Sequence, residues 1–344
     1  MIKIKNTSVI YILAPGGIAS GGPEALHQLH YYFNKLGYTS KMAYYSNPIT
    51  NPRYHIYKPE VILLEDIVDD EENLIIVPEI NTKYLKKIKK CRKCIWWLGV
   101  QYFDGFETMP QTLRDKLKIK MRFSVPQNIL KLRQQYLKHN NPSKYSTQPY
   151  LIENTDFNLC GSKFAFDFIR NKFKNVRLLV EPLGLKFLSD KTLSLNANIR
   201  SDVVLYNPSK SSKILDELLK RTDISFKAIS GYNENELVEL FRSSKLYIDF
   251  GMFGGPERLP KETVLNGTML LVGKRNASIN NFDIAIPDKY KLPMDSDLEF
   301  IAEKIKFMLS NYSTLIEDFT KFRNQIVSLE PKFKESIQEI FTIT

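Results

Sequence analysis

The chain has 344 residues, of which 43% are hydrophobic and 25% charged, and a formal net charge of +11. That composition excludes a disordered or fibrous chain and suits about two globular domains, each able to bury a core. No run approaches the ~20 apolar residues of a bilayer span, and the apolar stretch within MIKIKNTSVIYILAPGG is too short for a signal peptide.

SVIYILA (8–14) is a continuous apolar run closed by PGG, the pattern of a strand buried on both faces. GGIASGGPEALHQLHYYFNKLGY then reads as a glycine loop and a helix. Pro23 lies in the first turn, Ala25, Leu26, Leu29, Phe33 and Leu36 recur at helical spacing, and Gly37 ends it. SKMAYYS (40–46), LIIVPEI (74–80) and CIWWLGV (94–100) read as further strands, LLEDIV as part of a short segment, and the basic run KYLKKIKKCRK (83–93) as a helix. From Phe103 to Pro149 the sequence is polar, basic and poor in β-branched runs, which predicts helices and loops. TDFNLCGS (155–162), KFAFDFIRNKF and VRLLVEPLG (176–184) restore strand, helix and strand, and SDKTLSLNANIRS (189–201) reads as an interdomain linker.

The second half repeats this grammar. VVLYNPS (203–209) is a strand and loop before the helix KILDELLKR, ISFKAIS is a strand, and NENELVELFRSS is a helix with a capping asparagine. KLYIDFG (245–251) is a strand carrying Asp249 near its carboxyl end. The turn GGPERLP, the helix KETVLNG, the strand TMLLVGK and a last strand DIAIP follow, then a helical tail from about Asp297. The predicted class is α/β, with two Rossmann-like doubly wound domains facing each other across a cleft. The expected domains are residues 1–190, residues 201–310, and a tail, 311–344, that packs back on the first. Ligands of such sheets bind outside the carboxyl ends of the strands, so three loops matter most: APGGIASGGPE, YNPSKSSK and FGMFGGPERLPKE.

The positive charge points to an anionic partner. Much of the excess lies in 83–93 and between Lys116 and Lys144, read either as solvated helix faces or as contacts with a membrane surface or polyanion. Neither stretch interleaves cations with exposed aromatics, so nucleic acid is not an expected partner. Cys91, Cys94 and Cys160 lack the second pair or neighbouring histidine of a zinc site and read as reduced thiols. His27 and His30 share a helical face without a metal motif. Trp96 and Trp97 read as core. The chain lacks both a GxGxxG fingerprint in the first loop and a GxxxxGKS/T sequence, which argues against a dinucleotide oxidoreductase and a P-loop ATPase.

At these loops the chain resembles the GT-B glycosyltransferases, particularly the retaining family 4-like group with sucrose synthase and many bacterial surface-polysaccharide transferases. GGIASGGPEALHQLHYYFNKLGY is similar to that family's amino-terminal glycine loop and helix, and GGPERLPKETVLNG to its donor-binding segment. IWWLGVQ and DFGMFGGPERLPKE look most like a polysaccharide subset that includes Kdo transferases. Gln101 stands where that subset carries an aspartate, with Asp104 the nearby carboxylate able to replace it.

The resemblance implies transfer of a sugar from a nucleotide-activated donor to a hydroxyl of a bacterial surface glycan or lipid-linked oligosaccharide, with retention. It implies no cofactor beyond the donor substrate and no metal. Arg258 and Lys261 would stabilise the leaving nucleotide and are the expected catalytic residues. Gly254 and Gly255 would expose backbone amides to phosphate, Asn207 and Lys210 would lie at the phosphates, and Glu262 would accept ribose hydroxyls. Gly16, Gly17, Gly21 and Gly22 form the expected acceptor or phosphate loop, with Glu24 touching the transferred sugar or capping its helix. The expected location is cytoplasmic, with the inner face of the membrane as a further site reached through the basic segments. The alternatives are a CMP-Kdo-type transferase of the same fold and a non-catalytic nucleotide- or sugar-binding protein.

Overall fold

The structure, a computed structural model, describes residues 1–100, 103, 155–189, 195, 197–210, 212–255 and 257–344. The expectations for Gln101, Asp104 and the basic stretch 116–144 lie outside the described residues. The chain divides into two compact units, one holding the described residues of 1–107, 125–184 and 329–344, the other those of 185–328.

In the first unit, β1 (Ile2–Ile4) precedes β2 (Ile10–Ala14), α1 (Gly21–Lys35), β3 (Ser40–Tyr44), β4 (Val61–Leu63), β5 (Leu74–Pro78), β6 (Arg92–Trp97), β7 (Phe157–Cys160), α2 (Lys163–Ile169) and β8 (Val176–Leu178). Among the described residues β2 to β8 form a parallel sheet in the order β4-β3-β2-β5-β6-β7-β8. Strands such as Ile10–Ala14 and Leu74–Pro78 are buried along their whole length because helices and loops cover both faces. Trp96 and Trp97 belong to this core. Their indole N–H groups donate to the Leu179 carbonyl at 3.1 Å and to Asn158 Oδ1 at 3.0 Å, which satisfies their polar edges without solvent.

One expectation for this half is corrected, and one strand had no counterpart in the sequence reading. The basic run is not an α-helix: a 3₁₀ helix spans Glu79–Lys87, and Arg92 and Lys93 already open β6. Both side chains are half-buried at the strand's amino-terminal end, where long cations reach solvent. The amino-terminal residues also form β1, paired in parallel with β14 (Phe341–Ile343).

The second unit continues with α3 (Leu185–Ser189), β9 (Ser201–Tyr206), α4 (Lys213–Leu218), β10 (Ser225–Ala228), α5 (Glu234–Ser243), β11 (Ser244–Asp249), α6 (Arg258–Leu265), β12 (Met269–Gly273), β13 (Lys291–Leu292), α7 (Leu298–Ser310) and α8 (Tyr312–Leu315). A longer helix, α9 (Thr320–Ile340), then runs on to β14. The second sheet is parallel in the order β10-β9-β11-β12-β13. Asn233 caps α5 as expected, accepting from the amides of Asn235 and Glu236 while Glu236 reaches back to the Asn233 amide. DIAIP is not a strand. Ile284, Ala285 and Ile286 are buried as irregular chain, and the edge place goes to Lys291–Leu292.

Arg200 locks this unit. Its buried guanidinium donates to the carbonyls of Phe241, Ser244 and Asn266 at 2.8–3.0 Å, tying the end of α5, the start of β11 and the end of α6 together. These carbonyls include helix-terminal acceptors that would otherwise lack partners.

Candidate functional site

The strand order sets where each unit can bind a ligand. In the second sheet the chain leaves β9 for β10 on one side and returns to place β11 on the other. The loops after β9 and β11 therefore diverge and leave a crevice at that switch point.

Lys210, in the loop after β9, meets the loop after β11 there. Its ammonium lies 3.3 Å from Asp249 Oδ2, 3.0 Å from Glu257 Oε2 and 4.6 Å from the centre of the Phe253 ring. Burial works against the charge, but the two carboxylates outweigh it and hold the ammonium above lysine's usual range. Asp249 is fixed in turn by the Tyr247 hydroxyl and the Gly251 amide, each donating at 2.9 Å. Burial, and then Asp249, push the Tyr247 phenol well above its ordinary value, so it stays a neutral donor. Gly251 makes the approach possible: a Cβ there would lie 2.8 Å from Lys210 Cβ and 3.1 Å from the Lys210 carbonyl oxygen. Asn207 shapes the loop, since its Oδ1 accepts from the Ser209 amide at 3.0 Å and the Ser209 hydroxyl at 2.6 Å.

The turn after β11 feeds α6, which opens at Arg258, three residues before the expected start. Pro260 is tolerated in the first turn because its missing N–H would have had no intrahelical partner. Glu262 is thereby moved from the helix opening into the second turn. Arg258 donates to Glu262 Oε1 through Nε at 3.1 Å and through a terminal nitrogen at 2.9 Å. Lys261 is 1% exposed. The Gly254 amide donates to Glu257 Oε1 at 3.2 Å, and Gly255 continues the turn. The structure thus brings Lys210, Gly254, Asp249 and Glu257 together, and couples Arg258 to Glu262 instead of leaving each to act alone. Asp249, Gly251 and Glu257 were not among the residues assigned roles from sequence.

In the first sheet the switch point falls between β2 and β5. The glycine loop follows β2 and is drawn tightly onto the segment after β3. A Cβ on Gly16 would overlap the Asn47 carbonyl oxygen, Gly17 has φ +76°, and Asn51 Nδ2 donates to the Gly17 carbonyl at 3.1 Å. Gly21 opens α1, and a Cβ on Gly22 would lie 3.7 Å from Leu98 Cδ1, an ordinary contact just past the end of β6. Glu24 is buried. It pairs with Arg53 at 2.9 Å and accepts from the Tyr57 hydroxyl at 2.8 Å, so this carboxylate anchors the 3₁₀ helix Pro52–Tyr57. Sequence offered no signal for that pairing.

Across the switch point, Glu79 follows β5 and accepts from the Leu98 amide at 3.1 Å. Burial, opposed by backbone amides and reinforced by Glu181, pushes its carboxyl up to about 8. His27 and His30 are core residues. His27 Nε2 lies 2.7 Å from the Tyr44 hydroxyl and its ring stacks on Tyr54, while His30 Nδ1 lies 2.9 Å from Ser40 Oγ. Burial lowers each imidazole to about 4. These shifts give opposite pH dependences. Depressed histidines cost stability as pH falls from about 6.5 towards 4, by up to roughly 3 kcal/mol each. The raised Glu79 costs stability as pH rises from about 4.5 through 8, because the unfolded chain releases that proton more easily. Thermal melts of Glu79→Gln against the parent should show a difference that moves in the variant's favour between pH 5 and pH 8; a constant difference would mean Glu79 ionises normally.

Among the described residues, no group of three or more His, Cys, Asp or Glu is arranged to hold a metal ion, and no helix is long and apolar enough to cross a membrane.

No protein-family model and no curated protein matches the chain. Solved structures do. A sucrose-phosphate synthase from Thermosynechococcus elongatus aligns at TM-score 0.63 and 11% identity, covering 97% of this chain and 98% of its own. An alpha-glucosyltransferase, solved in complex with UDP and a 13-mer DNA containing an HMU base, aligns at 0.59 and 13% identity over 99% and 100%. The fold is that of the GT-B glycosyltransferases. A glycosyltransferase from Rickettsia africae shares this GT-B fold at TM-score 0.57 and 13% identity, over 97% of this chain and 99% of its own. In GT-B terms, the first unit carries the glycine loop and the second the GGPERLPKE turn.

Proposed function

We propose that the chain is a nucleotide-sugar-dependent glycosyltransferase that passes one sugar to an acceptor hydroxyl. The observation that carries this reading is Lys210 at the switch point of the second sheet, beside the backbone amide of a glycine turn. A cation, a turn amide whose partner is a side-chain carboxylate and a helix amino terminus in one crevice suit a donor phosphate. That several solved structures of the same fold hold UDP supports the choice of donor class.

In this proposal residues 201–310 bind the donor, residues 1–190 take the acceptor, and 311–344 form the tail. Lys210, Arg258 and Lys261 balance charge on the departing nucleotide, Gly254 and Gly255 offer amides, Asn207 shapes the phosphate loop, and Glu262 both orients Arg258 and accepts ribose hydroxyls. Gly16, Gly17, Gly21 and Gly22 shape the acceptor side, where Glu24 holds Arg53. The acceptor is a bacterial surface glycan or oligosaccharide, the anomeric configuration is retained, and no metal is needed.

The test is a panel of UDP-, GDP- and CMP-sugars, with released nucleotide measured in the presence and absence of glycan acceptors, alongside melts with each free nucleotide. One nucleotide should raise the melting temperature, by an amount equivalent to ~2.7 kcal/mol at one hundred times its Kd, and its sugar conjugate should turn over with acceptor. Stabilisation without turnover would assign a nucleotide-binding protein instead, and no stabilisation by any nucleotide would overturn the donor reading.

A further inference from the structure

One carboxylate in the crevice does two jobs. Glu257 Oε1 accepts from the Gly254 amide at 3.2 Å while Oε2 lies 3.0 Å from the Lys210 ammonium. Bridging a backbone amide and a cation is the arrangement a phosphoryl group would take. We propose that Glu257 is an internal occupant of the donor-phosphate position, so that donor binding exchanges one anion for another at Lys210 and Gly254. The proposal rests on the donor reading given above.

Three further features separate this role from ordinary helix capping or core pairing. Glu257 is the residue before α6, yet its side chain makes no capping bond to that helix. Its backbone lies at φ 47° and ψ 148°, a region that non-glycine residues rarely adopt and that persists only where surroundings hold it, as at ligand clamps and switches. Finally, the two acids facing Lys210 differ in freedom. The Asp249 side chain is 1% exposed and held by Tyr247 and Gly251, whereas that of Glu257 is 25% exposed and has a path to solvent. When Glu257 leaves, Asp249 keeps Lys210 in place, and the lysine's outward side and the Gly254 amide become available to a phosphate.

Calorimetric titration of UDP, GDP and CMP into the parent, Glu257→Gln, Glu257→Asp, Glu257→Gly and the surface control Glu303→Gln distinguishes the possibilities. Glu257→Asp keeps the charge but is one methylene too short to bridge. Glu257→Gly adopts positive φ without strain, which guards against a variant that fails to fold. All three Glu257 variants should bind the nucleotide that the parent binds on the order of ten-fold more tightly, the equivalent of one partly buried ion pair, and the control should not change. Parental affinity in Glu257→Asp would show that charge alone acts and overturn the proposal. So would weaker binding in Glu257→Gln, which would make Glu257 a ligand of the donor. Failure of every variant and the parent to bind any of the three nucleotides would overturn the donor reading itself.

Discussion

Lys210→Met should lower donor-dependent turnover by about 10²- to 10³-fold, the effect of removing one group aimed at developing charge. On the proposed reading the bond to the sugar breaks with negative charge accumulating on the nucleotide, and the ammonium at the switch point answers that charge. The substitution has a second consequence. It leaves Asp249, with its side chain 1% exposed, accepting from Tyr247 and Gly251 but without its cation, at a cost of roughly 3 kcal/mol or more. A drop in activity would then be ambiguous on its own. The double variant Lys210→Met/Asp249→Asn separates the two effects, because the neutral amide needs no cation. It should recover most of the lost melting temperature and none of the turnover. Parental turnover in the stable double variant would remove Lys210 from the reaction.

The repeated strand and helix rhythm was legible because parallel strands covered on both faces must be apolar along their length. Ile10–Ala14 and Met269–Gly273 are buried at every position. The same logic failed at DIAIP, where Ile284 and Ile286 are as buried as any strand residue without joining a ladder. Burial dictates composition, whereas pairing depends on which neighbour offers a free edge. The pairing of β1 with β14 was invisible for a related reason: each is three residues long and their partner lies at the other end of the chain. At the candidate site, glycines and prolines marked the loops correctly, since backbone constraints are local. Side-chain partnerships were not marked. Nothing near Glu24 in sequence announces Arg53 and Tyr57, and nothing near Lys210 announces Glu257. Helix α6 shows the intermediate case, in which Pro260 reads as a breaker although a first-turn proline is compatible with the helix.

The glycine loop provides the other large effect. Gly16→Ala should destabilise the chain by about 3 kcal/mol, the upper part of the range for forced overpacking. The added methyl would overlap the Asn47 carbonyl oxygen and lie 2.7 Å from the Asn47 carbonyl carbon and 3.0 Å from Tyr44 Cδ2, so the clash is with backbone and an aromatic core residue, neither of which can turn aside. Gly17→Ala faces a different obstacle. Its Cβ would meet the terminal amide of Asn47 at 3.2 Å, a side chain that can shift, and the remaining cost is the left-handed φ of +76°, about 1 kcal/mol. Denaturant unfolding should therefore rank Gly16→Ala well below Gly17→Ala, with unchanged m-values in both. The ranking bears on function, because the same loop leads through Ser20 into α1, and the Ser20 amide and carbonyl are both held by the Tyr54 hydroxyl at 2.7 and 2.9 Å. A Gly16→Ala chain as stable as its parent would mean that the loop stands away from residue 47, and the anchoring of Glu24 on Arg53 would no longer position the entrance to α1.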